Sequence, residues 1–178
     1  MTLAWTTVSA PEPLGALAIA VGEAGLVMVS FGAGQARLAA AAARLGEPLV
    51  REPARTAPAV GQLAEYLAGR RRAFDLPLDW RLAGEAARPT LQTLLASVGY
   101  GATVTYGELA VRSGLGSEYT AARAVGAIMG ANPLPVVVPC HRVLGAAGLG
   151  GFGGGLAVKE WLLALEGVLT PALDFGVP

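Results

Sequence analysis

Three prolines, Pro133, Pro135 and Pro139, enclose the valines Val136, Val137 and Val138 and lead straight into Cys140 and His141, the chain's only cysteine and only histidine. Asn132-Pro133 ends any helix that arrives from upstream, because proline disfavours helical backbone in the residue before it. The apolar, β-branched run 135–138, bounded by prolines, predicts a short buried strand. Pro139 stops that strand, since it has no N–H to give to a ladder. Cys140 therefore emerges at the end of a rigid element, beside an imidazole that can favour the reactive thiolate. On this dipeptide alone the plainer reading competes, because a single cysteine is most often a small buried hydrophobe.

The rest of the composition bounds the class. The 178 residues are 53% hydrophobic, enough to bury the core of one ordinary domain or of a small domain plus a half-domain. No apolar run reaches the ~18 residues of a membrane span. The start, Met1-Thr2-Leu3-Ala4-Trp5, lacks the basic region of a secretory signal. One cysteine allows no internal disulfide and no cysteine-rich metal site, so the expected compartment is a reducing cytoplasm. No metal and no cofactor is expected. The 13 basic and 13 acidic side chains balance, which does not advertise a polyanion partner.

Along the chain, the first part reads as β structure: strands at 5–8, 16–21 and 26–31, with a turn at Gly22-Glu23-Ala24-Gly25. Gln35 to Leu45 predicts a helix stopped by Gly46. A second helix fits Val60 to Ala68, with Leu63 and Leu67 one turn apart on a buried face. Arg70-Arg71-Arg72 then reads as a solvated helix end. Phe74 to Trp80 alternates like an edge strand. Leu82 to Pro89 is a connector of small residues, and the domain boundary is placed there: residues 1–85 against 86–178.

The second half predicts mostly helices. Thr90 to Val98 is a short apolar helix, broken by Gly99-Tyr100-Gly101. Thr105-Tyr106-Gly107-Glu108 has the form of a capping box, so a helix begins after Thr105 and ends near Ser113-Gly114. Thr120 is the expected N-cap of a helix over Ala121 to Gly130. Helix, glycine-containing turn and helix is the pattern of a helix-turn-helix. Two core helices with one exposed arginine, Arg123, fit the same residues. The small residues would also let the helix backbone press against a phosphate backbone or a groove. Gly145 to Gly155 is a glycine-heavy loop whose only aromatic is Phe152; it lacks the phosphate-binding spacings and reads as a mobile wall around a pocket. Val158, Trp161, Leu162 and Leu165 define the last helix, Gly167 its cap, and Glu166 its final turn.

Pro139-Cys140-His141-Arg142-Val143, Arg123-Ala124-Val125-Gly126, Asn132-Pro133 and the run from Gly154 to Gly167 together resemble the O6-alkylguanine-DNA alkyltransferase family, or methylated-DNA–protein-cysteine methyltransferases. The similarity is dense from about Tyr100 to Gly167. In the first half it is limited to Pro13-Leu14-Gly15 and Phe74-Asp75-Leu76-Pro77-Leu78. The resemblance implies an α/β N-terminal domain, a small antiparallel sheet plus helices, followed by a mostly α-helical C-terminal domain with a helix-turn-helix. It implies double-stranded DNA containing O6-alkylguanine as partner, a minor-groove approach and a flipped base, with O4-alkylthymine as a further substrate. A monomer is expected, cytoplasmic and nucleoid-associated when bound to DNA.

Site roles implied by the resemblance go residue by residue. Cys140 would be the nucleophile, His141 the general base acting through a water, and Glu166 the group that orients His141. Tyr106 would donate a proton toward the departing guanine. Asn132 would fix the turn and support the thiolate. Arg123 would fill the gap left by the flipped nucleotide. Thr120, Ala121 and Ala122 would meet DNA, while Met129, Val143, Phe152 and Gly153 would shape the base pocket. Arg142 reads as structural. Phe152, Gly153, Gly130 and Thr120 depart from residues frequent in the family, and the turn 115–119 is longer than usual. With no second cysteine to resolve a thioether, the protein would act once. A non-catalytic lesion sensor is the alternative. A cysteine hydrolase is disfavoured, because its cysteine and histidine are normally distant in sequence.

Overall fold

Alternating apolar residues and tight glycine turns build a meander from β1 (Leu3–Ser9), β2 (Ala16–Gly22) and β3 (Gly25–Phe31) in the computed structural model, which describes residues 1–170. The pairing is antiparallel, with Val8 opposite Leu17 and Ile19 opposite Val29. The sheet as a whole is mixed rather than antiparallel. β4 (Leu49–Val50) joins it parallel to β1, giving the order β3-β2-β1-β4. A two-residue strand has too little pattern to announce itself.

β2 is buried on both faces, and its period of two sorts its side chains between two helices. Ala18 and Ala20 face α1 (Gln35–Leu45), which packs Leu38 and Ala41 against them. Leu17 and Ile19 face α2 (Pro53–Leu67), which supplies Ala59, Leu63, Tyr66 and Leu67. α1 ends on Gly46 in the left-handed region, as expected. α2 starts at Pro53 rather than Val60: Pro53 opens the first turn, and Pro58 is tolerated inside the helix, where it forfeits one backbone bond.

The expected strand over Phe74–Trp80 is a loop. Pro77 has no N–H, and only Leu78 bridges to Leu26 before a 3-10 turn over Trp80–Leu82. The loop still covers the free edge of β3 through Leu26 N to Pro77 O and Asp79 N to Leu26 O.

In the second half, α3 (Arg88–Ser97) carries Pro89 in its first turn and leads through the break at Tyr100 to β5 (Val104–Thr105). α4 (Tyr106–Arg112) opens on the full capping box: Thr105 Oγ accepts from Glu108 N, and Glu108 Oε2 accepts from Thr105 N. α5 (Tyr119–Gly130) is capped by Glu118, so Thr120 lies inside its first turn rather than at the cap. β6 (Val143–Leu144) pairs parallel to β5, and α6 (Leu156–Leu165) closes the described chain. The tail 171–178 of the expected C-terminal domain lies outside the described residues.

One apolar core runs through both halves. Leu17, Leu63 and Tyr66 belong to the same cluster as Leu94, Leu109, Val125, Val138, Cys140 and Leu162. Each fully buried aliphatic side chain contributes about 1.5–3 kcal/mol. Val29 N also donates to Pro133 O at 2.8 Å, tying the sheet to the turn that precedes Cys140. Among the described residues no helix is long and apolar enough to cross a membrane.

Candidate active site

Cys140 is held by a turn, not by the expected strand. Residues 135–138 have no partner edge, only an isolated bridge between Pro135 and Val138. Asn132 closes the turn from both ends: its Nδ2 donates to Val138 O at 3.0 Å and its Oδ1 accepts from Leu134 N at 2.9 Å. Val138 N donates to Leu134 O at 2.8 Å inside that frame. Val136 sits at φ 73, a left-handed conformation unusual for a β-branched residue. Such backbone costs about 1–3 kcal/mol and persists only where the surroundings impose it. Here the Asn132 clamp and the fully buried valine side chain impose it. Cys140 then opens a 3-10 turn over Cys140–Arg142, only 6% exposed, on the wall of a cavity of about 760 Å³.

Behind Cys140 lies a buried relay. His141 is 0% exposed, and its Nε2 lies 2.8 Å from Glu166 Oε1. Arg142 grips the same carboxylate through Nε to Oε2 at 2.9 Å and Nη2 to Oε1 at 2.8 Å, while Nη1 donates to Val98 O. Tyr66 donates to Oε1 at 2.5 Å and Gly101 N to Oε2 at 3.1 Å. Burial alone would raise the Glu166 carboxyl. The hydrogen bonds from His141, Arg142 and Tyr66 outweigh it and hold the group well below the usual carboxylate range. Burial lowers His141 despite the pull of Glu166, so the ring is neutral. An ionised carboxylate only accepts, so Nε2 carries the proton and Nδ1 is bare. That Nδ1 is buried without a hydrogen-bond partner. Burial raises the Cys140 thiol, against the Asn132 amide and the Lys159 ammonium. The thiol thus keeps its proton, and the imidazole that follows it in the chain keeps a free lone pair.

Several contacts hold the cavity wall. Lys159 of α6 is 0% exposed, and its Nζ donates to Val143 O at 2.7 Å and Gly151 O at 3.3 Å. Tyr106 donates to Gly151 O at 3.3 Å. Its ring crosses Gly150, which has φ 72; a Cβ there would come within 2.8 Å of the ring, so only glycine fits. Phe152 packs edge-to-face on Phe31 of β3, with centroids 5.5 Å apart. Burial, then the neighbouring Cys140, raises the Tyr106 phenol, so its hydroxyl keeps its proton.

Residues 7–80 match the ribonuclease-like domain of 6-O-methylguanine DNA methyltransferase, and residues 87–168 match its DNA binding domain. A methylated-DNA–protein-cysteine methyltransferase of Mycolicibacterium paratuberculosis is 46% identical over 131 residues, 68% of this chain and 76% of the relative. The chain belongs to the methylated-DNA–protein-cysteine methyltransferase family. A relative of the same name from Methanosarcina acetivorans is 38% identical over 88% of this chain and 94% of its own length. The crystal structure of Mycobacterium tuberculosis OGT in complex with DNA superposes with a TM-score of 0.74 at 35% identity, covering 91% of each chain.

Within this family frame, the structure brings Cys140, Tyr106, Ala122, Arg123, Met129, Phe152 and Gly153 to one cavity. His141, Glu166 and Asn132 lie behind it in direct support. Thr120 is exposed outside the cavity. Ala121 and Val143 are buried in the core, and the Val143 carbonyl is engaged by Lys159. Ala146 joins the wall from the glycine-heavy loop expected to form it, whereas Tyr119, 77% exposed at the mouth, was read only as part of a turn. Two buried polar residues were also missed. Tyr66 comes from α2, far away in sequence. Lys159 could have been found: it shares the α6 face of Leu162 and Leu163, so a cation there is turned inward.

Proposed function

We propose that Cys140 takes the alkyl group from O6-alkylguanine in duplex DNA and keeps it as a thioether. The observation that carries this is the bare Nδ1 of His141, fixed by Glu166 behind the one thiol that faces the cavity. His141 Nδ1 receives the Cys140 proton through a water. The sulfur lone pair attacks the alkyl carbon, and the C–O6 bond breaks with its electron pair moving into the guanine ring. The Tyr106 hydroxyl supplies a proton to that developing anion. No group in the site can cleave a thioether, so each molecule acts once.

The DNA face is built by α4 and α5 as a helix-turn-helix. Small residues at Ala122 and Gly126 let α5 approach the minor groove closely. Arg123, exposed at the cavity mouth, enters the stack when the damaged nucleotide turns out into the cavity. O4-alkylthymine fits the same chemistry. Residues 86–178 carry the reacting groups and residues 1–85 brace them. The protein works as a monomer in the cytoplasm, at the nucleoid.

Intact and peptide mass spectrometry after mixing with a duplex carrying one O6-methylguanine tests this reading. The expected result is one added methylene on the Cys140 peptide, saturating at one per protein and absent in Cys140→Ser. Lesion binding with a reduced thiol and no adduct would make the protein a sensor instead.

A further inference from the structure

The Tyr66 hydroxyl is a buried polar group that the proposed reaction does not use. Tyr66 belongs to α2 in the N-terminal half, yet it lies 2.5 Å from Glu166 Oε1 and 3.3 Å from His141 Nε2. Its ring is fully buried, edge-on to Tyr100 at 6.1 Å and tilted on Phe74 at 5.3 Å, so the hydroxyl has no other place to go. We infer that Tyr66 is a positioning residue of the relay: its hydroxyl holds Glu166 Oε1 and limits how strongly that carboxylate draws on His141. The inference rests on the proposed role of His141 as base.

The argument is one of shared lone pairs. Three donors converge on Oε1: Tyr66 O–H, His141 Nε2–H and Arg142 Nη2–H. A carboxylate oxygen has two lone pairs, so the three compete. An O–H donor at this distance makes the strongest kind of bond to an anion. Arg142 also holds Oε2, and Gly101 N joins it there, so the carboxylate would stay in place without Tyr66. What Tyr66 changes is the electron density left for His141.

Other charged and titratable groups around the pair act from fixed positions. Arg142 and Lys159 disfavour a charged imidazole. Cys140 precedes the ring in sequence. Tyr100 donates to Leu165 O and carries Arg72 over its face at 5.5 Å. None of these takes the place of the Tyr66 hydroxyl on Oε1. With that hydroxyl gone, Oε1 binds Nε2–H more tightly and the imidazolium forms more easily. A base that is already charged cannot take the thiol proton, so Tyr66 keeps His141 available at neutral pH.

His141 is the only histidine, so ¹⁵N-histidine labelling yields a single ring to follow without DNA. In Tyr66→Phe the imidazole titration is expected to move to higher pH by about one unit, a tenfold change in its protonation equilibrium. The acid limb of single-turnover methyl transfer is expected to move with it. A purely structural role would lower the melting temperature and leave both titrations in place; that result, or a move to lower pH, overturns the inference. Should Tyr66→Phe not fold, wild-type protein grown with 3-fluorotyrosine, a stronger donor, is expected to shift the His141 titration to lower pH, and no shift there overturns it equally. Tyr106 and Tyr119 line the cavity rather than the relay, and Tyr100, which packs on the Tyr66 ring, is separated out by growing Tyr100→Phe with the same analogue, where the shift is expected to persist. The NMR titration involves no alkyl transfer. A wild-type protein that forms no Cys140 adduct would therefore sink the proposed function and leave the Tyr66 result standing on its own.

Discussion

Glu166→Gln separates what the carboxylate does for the fold from what it does for Cys140. Glutamine keeps the volume and one acceptor oxygen, so no cavity opens. What disappears is the charge that faces Arg142. The Arg142 side chain is 8% exposed and that of Glu166 is 0% exposed, so solvent cannot take over as partner. Removing one member of a buried ion pair costs about 3–5 kcal/mol. Against the roughly 5–15 kcal/mol typical of whole domains, that is a large share.

The Glu166→Gln loss depends on pH in a defined sense. Folding depresses the Glu166 carboxyl, so its charge stabilises the fold fully above the unfolded value of about 4.3. That contribution declines as pH falls further and is lost once pH passes below the folded value. The gap between wild type and Glu166→Gln, read by urea denaturation, is therefore flat around neutrality and closes in acid. Chemistry fails for a second reason. An amide N–H₂ can face Nε2 and reverse the imidazole tautomer, placing the proton on Nδ1 where the base must be. General-base catalysis contributes about 10²–10⁴-fold, and single-turnover transfer should fall by that much. A variant less stable by under about 1 kcal/mol, the scale of a surface ion pair, with transfer near wild type would show that the buried relay is not what holds His141.

Two further substitutions probe the cavity wall. Lys159→Met removes the ammonium that opposes burial at Cys140, so the thiol titrates higher; with a shift of about one unit, iodoacetamide modifies Cys140 on the order of tenfold more slowly near neutral pH. Equal or faster modification would show that Lys159 does not act on the thiol. Gly150→Ala forces a side chain into the left-handed region and onto the Tyr106 ring, costing about 1–3 kcal/mol from the backbone alone. Calorimetry should show a lower melting temperature and transfer assays a slower rate, whereas wild-type behaviour in both would mean the loop is free to move aside.

What could be read from the sequence was what is decided locally. The capping box at Thr105 and Glu108, the glycine stop at Gly46 and the apolar stripe of α6 each involve residues within one or two turns, and each is found as expected. The failures share a cause. Val136, Val137 and Val138 look like a strand because β-branched residues favour extended backbone, but a strand also needs a neighbouring edge, and none is supplied. Asn132 instead bends the stretch into a turn, a use of its amide that composition does not show. The helix expected from Val60 starts at Pro53 because the packing of α2 on the sheet, which carries it through Pro58, is not visible in the sequence.

The division of labour between the halves follows from the same contrast. Cys140, His141, Arg142 and Glu166 lie within one stretch of chain, and their motif is readable there. Yet three of the contacts that hold the site come from the N-terminal half. Tyr66 reaches Glu166, Phe31 backs Phe152, and Val29 N bonds the carbonyl of Pro133 at the base of the cysteine turn. They arrive from two elements, β3 and α2, and each touches a different part of the site: relay, wall and turn. A sheet that only lent bulk to the core would need none of these contacts. The N-terminal half thus braces the candidate site through hydrogen bonds and ring contacts that single substitutions can remove one at a time.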